Sequence, residues 1–238
     1  MGVANRWAAA PRCPGEGATV RPMADSFSLP AGREADVSRQ PDGRLLRRYR
    51  DARDTRPEAD LMHYLHQQGY PVPRVYWAVG RDLVMEFVEG PTMAEAALSG
   101  AVSQAESGAM LADLHNRLHA VAPRYGGPAI IHLDLHPQNV LLGPTGPVLI
   151  DWPNAQEGRP SLDVAMAAVI LAQVSVGGLI GVDLDLSVML AAFLTGCADD
   201  PRCSLDAALK LRSKNPTMRP QELARLDDAR ALIEDMAG

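Results

Sequence analysis

The chain has 238 residues, of which 47% are hydrophobic and 22% are charged, and its formal net charge is −6. This length and composition are typical of a globular protein that buries a core without disulfides or a structural metal, and they exclude fibrous and wholly disordered classes. The negative charge provides no field that attracts nucleic acid or anionic lipid, so we expect neither as a partner.

The cysteines and the first residues indicate in which cellular compartment the protein is expected. Cys13, Cys197 and Cys203 cannot all pair, and their spacing matches no zinc site, so we expect free thiols in a cytoplasmic protein. Residues 1–22 contain Pro, Gly and charge where a signal peptide has an apolar core. They are predicted to form a disordered extension before a domain that begins at Met23.

The next region predicts strands followed by one helix. Short apolar runs from Ser26 to Tyr49 alternate with turns, among them one at residues 30–32, which indicates a group of antiparallel strands. Thr55 and Glu58 have the spacing of a capping box, and the apolar helical stripe after them ends at Gly69. We therefore expect one helix of about three turns packed on the strands.

Two further strands complete a first lobe. Residues 74–79 and 83–88 are apolar runs on either side of a short turn, which predicts a strand pair. Strands that enclose one helix make a small α+β lobe. We predict that this lobe comprises residues 23–90 and that a second lobe comprises residues 91–238.

The second lobe is predicted to be mainly helical. Ser103 and Glu106 again have capping-box spacing, ahead of an apolar stripe. Between that helix and the helical region from Leu162 onward lie three short strand-like runs, at residues 129–133, 140–142 and 148–150. The last two are joined by a turn rich in Gly and Pro and predict a β-hairpin. The predicted fold class is therefore α+β, with a strand-rich and a helical lobe.

One apolar segment requires a decision about membranes. Residues 164–182 contain no charge until Asp183 and approach the length of a membrane-spanning helix. Gln173, Ser175 and the glycine pair at 177–178 interrupt the segment, which favours a buried helix of about three turns followed by a separate piece. We therefore do not expect a membrane protein.

Three oxygen-bearing side chains flank the predicted hairpin. Asp134 and Asn139 precede it, and Asp151 follows it directly. Phosphoryl transfer needs a metal clamp on the phosphates and an oriented acceptor hydroxyl rather than covalent chemistry. Asp134 has a suitable position to orient the hydroxyl, and Asn139 and Asp151 offer hard oxygen ligands for Mg²⁺. The hairpin would bring these groups together, which predicts a phosphotransferase.

The same residues carry a family resemblance. His132-x-Asp134, with Asn139 five positions later and a strand that ends in Asp151, resembles the catalytic core of the aminoglycoside phosphotransferase and choline kinase family. The resemblance extends over residues 26–235 and implies a bilobal protein-kinase-like fold. It implies transfer of the ATP γ-phosphoryl group to a hydroxyl of a small molecule, with Asp134 as the catalytic residue. Asn139 and Asp151 would bind Mg²⁺, and the acceptor would be an aminoglycoside, choline or a sugar.

The resemblance also implies a nucleotide site between the lobes. Glu86 and Val88 would bond the adenine through their backbone groups. The lysine that the family has on a strand of this lobe is replaced by Arg47 and Arg48, of which strand alternation lets only one face inward. Glu58 would be its ion-pair partner, unless it only caps its helix. Because arginine is not equivalent to lysine at a phosphate, an inactive nucleotide-binding protein remains an alternative.

A rival metal site uses histidines. His132, Asp134 and His136 alternate as on one face of a strand, and His115 and His119 lie four apart on a helix, an arrangement that would suit a metallohydrolase. That site gives no role to the amide and carboxylate that flank the hairpin, so the phosphotransferase is the better interpretation. We expect His115 and His119 on a polar helix face and His132 as a structural anchor of its loop.

The acceptor site is the least determined part. Asp163 is predicted to be structural, as a helix N-cap or a loop anchor. The acceptor would lie against the helices after Leu162, whose pocket shape one sequence does not predict. Four acidic residues there would either line a site for a cationic acceptor or lie in solvent: Asp183, Asp185, Asp199 and Asp200. The sequence leaves the acceptor and the oligomeric state open.

Overall fold

The computed structural model describes residues 27–28, 34–177, 185–215 and 218–237. The extension predicted over residues 1–22 and the turn predicted at residues 30–32 lie outside these ranges. Within them, an antiparallel sheet and one helix are followed by a largely helical part, which confirms the α+β class and the two-lobed arrangement. The boundary placed near residue 90 stays a prediction.

The strands of the described residues form three separate sheets. In chain order they are β1 (Phe27–Ser28), β2 (Ala35–Arg39), β3 (Leu45–Tyr49), β4 (Val75–Val79), β5 (Asp82–Met85), β6 (Ala129–Ile131), β7 (Val140–Gly143), β8 (Gly146–Leu149) and β9 (Gln156–Gly158). The first sheet has the order β1-β2-β3-β5-β4 with antiparallel neighbours, and the others are the pairs β6-β9 and β7-β8. The strands predicted before residue 90 are thus found in one sheet.

Helices make up most of the remainder. In the described ranges they are α1 (Arg56–Gln67), α2 (Met93–Leu98), α3 (Gln104–His119), α4 (Pro160–Ser175), α5 (Ser187–Gly196), α6 (Leu205–Ser213), α7 (Pro220–Leu223) and α8 (Leu226–Met236). Short 3₁₀ turns occupy Pro137–Asn139 and Pro201–Ser204. Of the helices in the described ranges, α1 alone precedes residue 90, so the helical character predicted for the second lobe is confirmed.

α1 begins and ends where the sequence predicts, but its start is stabilised differently. The Thr55 hydroxyl donates to the carbonyls of Gly80 and Asp82, each at 3.0 Å, and does not cap the helix. The capping box predicted for Thr55 and Glu58 is therefore wrong, because Thr55 ties the helix start to the turn between β4 and β5. Gly69 follows the helix with φ of 75°, a conformation that glycine adopts without a steric penalty. The stop predicted there is confirmed.

The second lobe contains the predicted helix cap and hairpin. The Ser103 hydroxyl accepts the Glu106 N–H at 3.2 Å, and the Glu106 carboxylate accepts the Ser103 N–H at 2.9 Å, which is the expected capping box of α3. The hairpin β7-β8 pairs Val140 with Leu149. The Leu149 N–H donates to the Pro71 carbonyl at 2.9 Å, so the hairpin is fixed to the connection between α1 and β4.

α4 is the first part of the long apolar segment, and it lies in the core. Every residue from Asp163 to Gln173 is buried, and the helix packs against α5, α6 and α8. It ends at Ser175, and Gly177 follows with φ of 77°. Among the helices of the described ranges, none is both long enough and apolar enough to cross a membrane. The buried core helix predicted here is confirmed.

Candidate active site

Residues 132–139, called the catalytic loop below, connect β6 to β7 and contain Asp134 and Asn139. The first two backbone N–H groups of the loop donate to the Asp163 carboxylate of α4, at 3.0 and 2.6 Å. Leu133 has φ of 65°, a conformation that costs free energy in any residue but glycine and persists only where the surroundings enforce it. The two hydrogen bonds to one buried carboxylate provide that constraint.

Asp163 is completely buried and nevertheless remains charged. Burial favours its protonated form, but the hydrogen bond from His119, the neighbouring imidazoles of His115 and His119, and the backbone hydrogen bond from His132 lower its pKa to about 2. The N-cap of α4 is Arg159. Of the two structural roles predicted for Asp163, the structure therefore contains the loop anchor and not the helix cap.

Asp134 and Asn139 contact each other directly. Asn139 Nδ2 donates to the Asp134 carbonyl at 2.9 Å and lies 3.2 Å from Asp134 Oδ2, while His136 Nε2 lies 3.5 Å from Oδ1. Burial raises the pKa of Asp134, but the hydrogen bond and charge of His136, with smaller effects of His132 and Arg212, hold it below its usual value. The carboxylate is therefore ionised, and 29% of the side chain is exposed to solvent.

Asp151 follows β8 and lies beside this group. The Ile150 N–H donates to the Asn139 carbonyl at 2.9 Å, so the hairpin brings Asp151 next to Asn139. Asp151 has φ of 71°, and among the described residues only Leu133 shares a positive φ without being glycine. Such strain costs about 1–3 kcal/mol and clusters at functional sites. Leu133 lies in the catalytic loop and Asp151 lies beside Asn139 at the end of that loop, and two strained residues at one point support an active site here.

Arg47 of β3 lies between two carboxylates. One terminal nitrogen is 2.5 Å from Asp151 Oδ1, and the other is 3.5 Å from Glu58 Oε1. Tyr49 donates its hydroxyl to Glu58 Oε2 at 2.6 Å. Burial disfavours the charged guanidinium, but Asp151, Tyr49 and Glu58 raise the pKa of Arg47, which stays cationic. The ion pair expected between Arg47 and Glu58 is present and extends to Asp151.

Arg48 faces the other side of β3. Its guanidinium makes two hydrogen bonds to Asp82, at 2.7 and 2.6 Å, and its side chain is 48% exposed. Arg48 therefore lies outside the site, which corrects its inclusion among the nucleotide-binding residues. Strand alternation puts Arg47 and Tyr49 on the inner face together. Tyr49 was not predicted as a site residue, although the same strand alternation indicates that it faces inward with Arg47.

Asn139 and Asp151 have oxygens available for a divalent cation. Because Asn139 Nδ2 is committed to Asp134, the amide orientation is fixed and Oδ1 has no hydrogen-bond partner in the described part of the chain. Asp151 uses only Oδ1 for Arg47. One amide oxygen and one carboxylate oxygen, completed by phosphate oxygens and water, are ligands that Mg²⁺ accepts. The side chains present therefore fit this ion.

Glu86 and Val88 follow β5 at the connection between the lobes. The Glu86 N–H donates to the Arg74 carbonyl at 2.8 Å, and its carboxylate accepts the Arg74 N–H at 3.1 Å. Across the described ranges, the Glu86 carbonyl and the Val88 N–H have no backbone partner, so one acceptor and one donor are available. A cavity of about 440 Å³ lies beside them, lined also by the α1–β4 connection and the β7–β8 turn, but not by Asp134 or Asp151.

The histidines of the rival metal site do not converge. His132 Nε2 lies 3.2 Å from the Ile150 carbonyl and Nδ1 accepts the Asp134 N–H at 3.2 Å, so His132 anchors its loop as predicted. His115 is buried and the His119 side chain is 6% exposed, so the polar helix face predicted for them is wrong. In the ranges that the structure describes, no three metal-ligating side chains form a cluster.

The acidic residues considered for a cationic acceptor do not form a shared lining, and two of them contact other groups of the protein. Asp183 lies outside the described residues. Asp185 accepts the Ser187 N–H and Asp200 pairs with Arg202, whereas Asp199 lies 3.6 Å from His119 Nδ1 without a hydrogen bond. The structure therefore gives no support to a continuous acidic lining.

Trp152 is a buried residue that packs directly beneath the side chains of the site. It is buried directly after Asp151, and its indole N–H donates to the Leu149 carbonyl at 3.0 Å. Its ring meets the rings of His132 and Tyr70 edge to face, at centroid distances of 4.6 and 5.8 Å. This packing places Asp151 and the catalytic loop on one rigid support.

Comparison with protein families extends this description. The family model described as RIO domain matches residues 33–162, just over half of the chain. The match includes strands β2 to β5 of the first sheet, the catalytic loop and Asp151, so every site residue predicted from the sequence lies inside it. A search of curated proteins gives no match.

Solved structures of kinases are similar over nearly the whole chain. The ADP-bound aminoglycoside phosphotransferase APH(2'')-Ib has a TM-score of 0.58 at 12% identity, over 90% of this chain and 94% of that chain. Amicoumacin kinase hAmiN, in complex with AMP-PNP, Ca²⁺ and Ami, has a TM-score of 0.52 at 17% identity, over 88% of each chain. A choline/ethanolamine kinase family protein from Mesorhizobium loti has a TM-score of 0.53 at 16% identity, over 89% of each chain. The predicted resemblance is confirmed at the level of the fold.

Proposed function

Because this chain belongs to the RIO domain family, which is kinase-like, we propose that it is a phosphotransferase that moves the ATP γ-phosphoryl group to a hydroxyl of a small molecule. The observation that carries the proposal is the convergence of Asp134, Asn139 and Asp151 with Arg47 of the first sheet. A fold alone needs neither two strained backbone positions nor so many polar groups at one point. Phosphoryl transfer needs these groups together.

Asp134 is proposed to orient and deprotonate the acceptor hydroxyl. Its lowered pKa keeps it an acceptor of hydrogen bonds at neutral pH, and Asn139 fixes its carboxylate. Oδ1, which lies 3.5 Å from His136, is the oxygen less constrained by the loop. We assign the contact with the substrate hydroxyl to this carboxylate because it is partly exposed and ionised.

Asn139 and Asp151 are proposed to hold Mg²⁺ through the oxygens that the protein leaves available. The bound ion would neutralise charge on the phosphate oxygens. The task of the chain is then to hold its two ligands at a fixed spacing, and the Ile150–Asn139 backbone hydrogen bond does this.

Arg47 is proposed to take the place of the usual strand lysine at the phosphates. Its guanidinium is buried, cationic and held between Glu58 and Asp151. Arginine can pair with two phosphate oxygens in a fork, which a lysine ammonium cannot do. On this proposal Glu58 and Tyr49 orient Arg47. The Glu86 carbonyl and Val88 N–H would bond the adenine edge.

The acceptor class follows from two observations of different kinds. The similar structures are named for kinases of aminoglycosides, amicoumacin, and choline or ethanolamine, which supports a small-molecule hydroxyl as the acceptor. Two of the described aspartates that would bind several amino groups, Asp185 and Asp200, are hydrogen-bonded within the protein, and Arg212 adds positive charge near Asp134. We therefore rank acceptors with several amino groups below neutral ones.

A second candidate is a nucleotide-binding protein without transfer activity. The observation that favours it is the 2.5 Å contact between Arg47 and Asp151, because this pair occupies one of the carboxylate oxygens expected to face the metal. On this reading the ion pair would hold Asp151 away from the ion, and nucleotide would bind without being consumed.

Single-turnover measurements with ATP and Mg²⁺ separate these candidates. We expect the parent protein to release phosphate, to transfer it faster when a small hydroxyl compound is added, and to lose about 100-fold or more of this rate in Asp134→Asn. Asp200→Asn, a surface carboxylate paired with Arg202, is the matched control and is expected to retain the rate.

Three outcomes would each contradict a different part of the proposal. Nucleotide binding without turnover in the parent would favour the second candidate. Turnover that survives in Asp134→Asn would contradict the assignment of Asp134. Transfer to a protein substrate and to no small molecule would contradict the acceptor class while leaving the phosphotransferase in place.

A further inference from the structure

His119, the last residue of α3, lies between two carboxylates. Its Nε2 lies 3.1 Å from Asp163 Oδ2, and its Nδ1 lies 3.6 Å from Asp199 Oδ2. The His119 side chain is 6% exposed and the Asp163 side chain is completely buried. A buried carboxylate that loses one donor is strongly destabilised, so this imidazole is important to the state of Asp163.

Within the described ranges, Asp163 accepts three hydrogen bonds, and two of them come from the catalytic loop. Oδ2 accepts from His119 and from the His132 N–H, and Oδ1 accepts from the Leu133 N–H. Among the described residues, the imidazole is the donor to this carboxylate that lies outside the loop, so it can hold the carboxylate plane independently of the loop. That plane in turn sets the positions of two amides immediately before Asp134.

His119 is itself held by its surroundings. Asn116, on the preceding turn of α3, donates to the Gly196 carbonyl at 2.8 Å and accepts the Ala198 N–H at 2.9 Å. This pair of hydrogen bonds fixes the segment after α5 against α3 and keeps Asp199 next to His119. The ring makes its hydrogen bond through Nε2 to Asp163, whereas its buried Nδ1 has no hydrogen-bond partner among the described residues, so Asp163 is the group on which the imidazole acts.

We propose that His119 is a positioning residue for the phosphotransferase reaction, because it orients Asp163 and thereby holds the backbone of His132 and Leu133 and the carboxylate of Asp134. The proposal rests on the function proposed above. His119 touches neither substrate nor metal, and it acts through the three hydrogen bonds of one buried carboxylate.

His115 provides a matched control. It lies one turn earlier on α3, it is completely buried, and its ring is 5.8 Å from that of His119. Its Nδ1 is hydrogen-bonded to the Leu111 carbonyl and not to Asp163. Replacement of His115 therefore perturbs the same helix and the same core without removing a donor from Asp163.

The experiment compares His119→Phe, His119→Gln and His115→Phe in the full chain. Phenylalanine keeps the ring and removes the donor, whereas glutamine keeps an N–H donor at similar reach. We expect His119→Phe to lower kcat about tenfold or more with ATP KM within about twofold of the parent, since small displacements of reacting groups are costly. We expect His119→Gln to restore most of the rate and His115→Phe to leave it unchanged.

Amide hydrogen exchange gives a readout that needs no turnover. We expect exchange at His132 and Leu133 to become faster in His119→Phe, and not in His119→Gln or His115→Phe. An inactive parent protein would contradict the proposed function, and the exchange data would still test the positioning role.

The proposal is overturned if His119→Phe keeps the parental kcat and exchange pattern. It is also overturned if His119→Phe and His115→Phe lose activity and protection alike, because the effect would then be general destabilisation. Should His119→Phe not fold, His119→Gln and His119→Asn decide. Glutamine must then retain the rate and the protection of the two amides, and the shorter asparagine must lose both.

Discussion

The two sides of the site are built in different ways. On the helical side, Asp163 holds the catalytic loop through backbone N–H groups, and Trp152 supports it from below. On the strand side, Arg47 reaches Glu58 and Asp151 through a long side chain, and Tyr49 adds one hydroxyl. On the helical side the contacts to the loop are made with backbone groups, and on the strand side they are made between charged and polar side chains.

This difference bears on which substitutions the site tolerates. A backbone held in a strained conformation has one productive geometry, so a change in its anchor displaces Asp134. A cation that only has to lie near phosphate has more freedom, and an arginine can then replace a lysine. We therefore expect the departure from the family pattern to be tolerated at Arg47, and no comparable departure to be tolerated at Asp163.

The largest effect is expected for Asp163→Asn. The amide keeps the size of the carboxylate but loses its charge and one acceptor oxygen, so the loop loses an anchor. We expect kcat to fall about 100-fold, because the loop geometry depends on both oxygens. We also expect a loss of about 2 kcal/mol in the free energy of unfolding at pH 7, measured by urea denaturation.

The pH dependence of that loss tests its cause. The folded pKa of Asp163 is about 2, below the usual value of about 3.9 for an unfolded chain. The ionised carboxylate therefore stabilises the fold fully above about pH 5, and this contribution is lost as the pH falls towards 2. The difference between the parent and Asp163→Asn should become smaller between pH 5 and pH 3. A difference that stays constant would contradict the assigned pKa.

An intermediate effect is expected at Arg47. Arg47→Lys keeps the charge but spans only one carboxylate, so we expect ATP KM to change by less than about tenfold. Arg47→Met removes the charge and leaves Glu58 and Asp151 without their cation, so KM should rise about tenfold or more. Steady-state kinetics with varied ATP measure both. Equal losses in the two variants would mean that the fork geometry matters and not the charge.

The smallest effect is expected at Arg48, the neighbour that faces outward. Its pair with Asp82 is on the surface, and such pairs contribute at most about 1 kcal/mol. Arg48→Ala should leave ATP KM unchanged and alter the free energy of unfolding by about 0.5 kcal/mol or less. A KM increase as large as that of Arg47→Met would contradict the finding that Arg47 faces the site and Arg48 faces outward.

Local patterns in the sequence predicted the helical side of the site well. Asp134, Asn139 and Asp151 are separated by one loop and one hairpin, so their spacing along the chain nearly determines their meeting in space. The capping box of α3 is likewise complete within four residues. Interactions over such short spans are encoded in patterns that one sequence contains.

Contacts between distant elements were harder to predict. The spacing of Thr55 and Glu58 fits a capping box, yet Thr55 bonds the β4–β5 turn and Glu58 bonds β3. His119 has the spacing of a polar helix face, but its partner Asp163 is 44 residues away. Burial decides such cases, and burial depends on how elements pack rather than on local pattern. The acceptor pocket is undetermined for the same reason.

The position of Trp152 places an intrinsic fluorophore at the proposed active site. The indole is buried against the His132 ring, one residue from the proposed metal ligand Asp151, whereas Trp77 lies on the edge strand β4 with 40% of its surface exposed. Indole emission responds to nearby charge and to small movements of a neighbouring ring. The proposed binding of ATP or Mg²⁺ at Asp151 would take place within reach of an intrinsic fluorophore, and fluorescence of the unlabelled protein would report it.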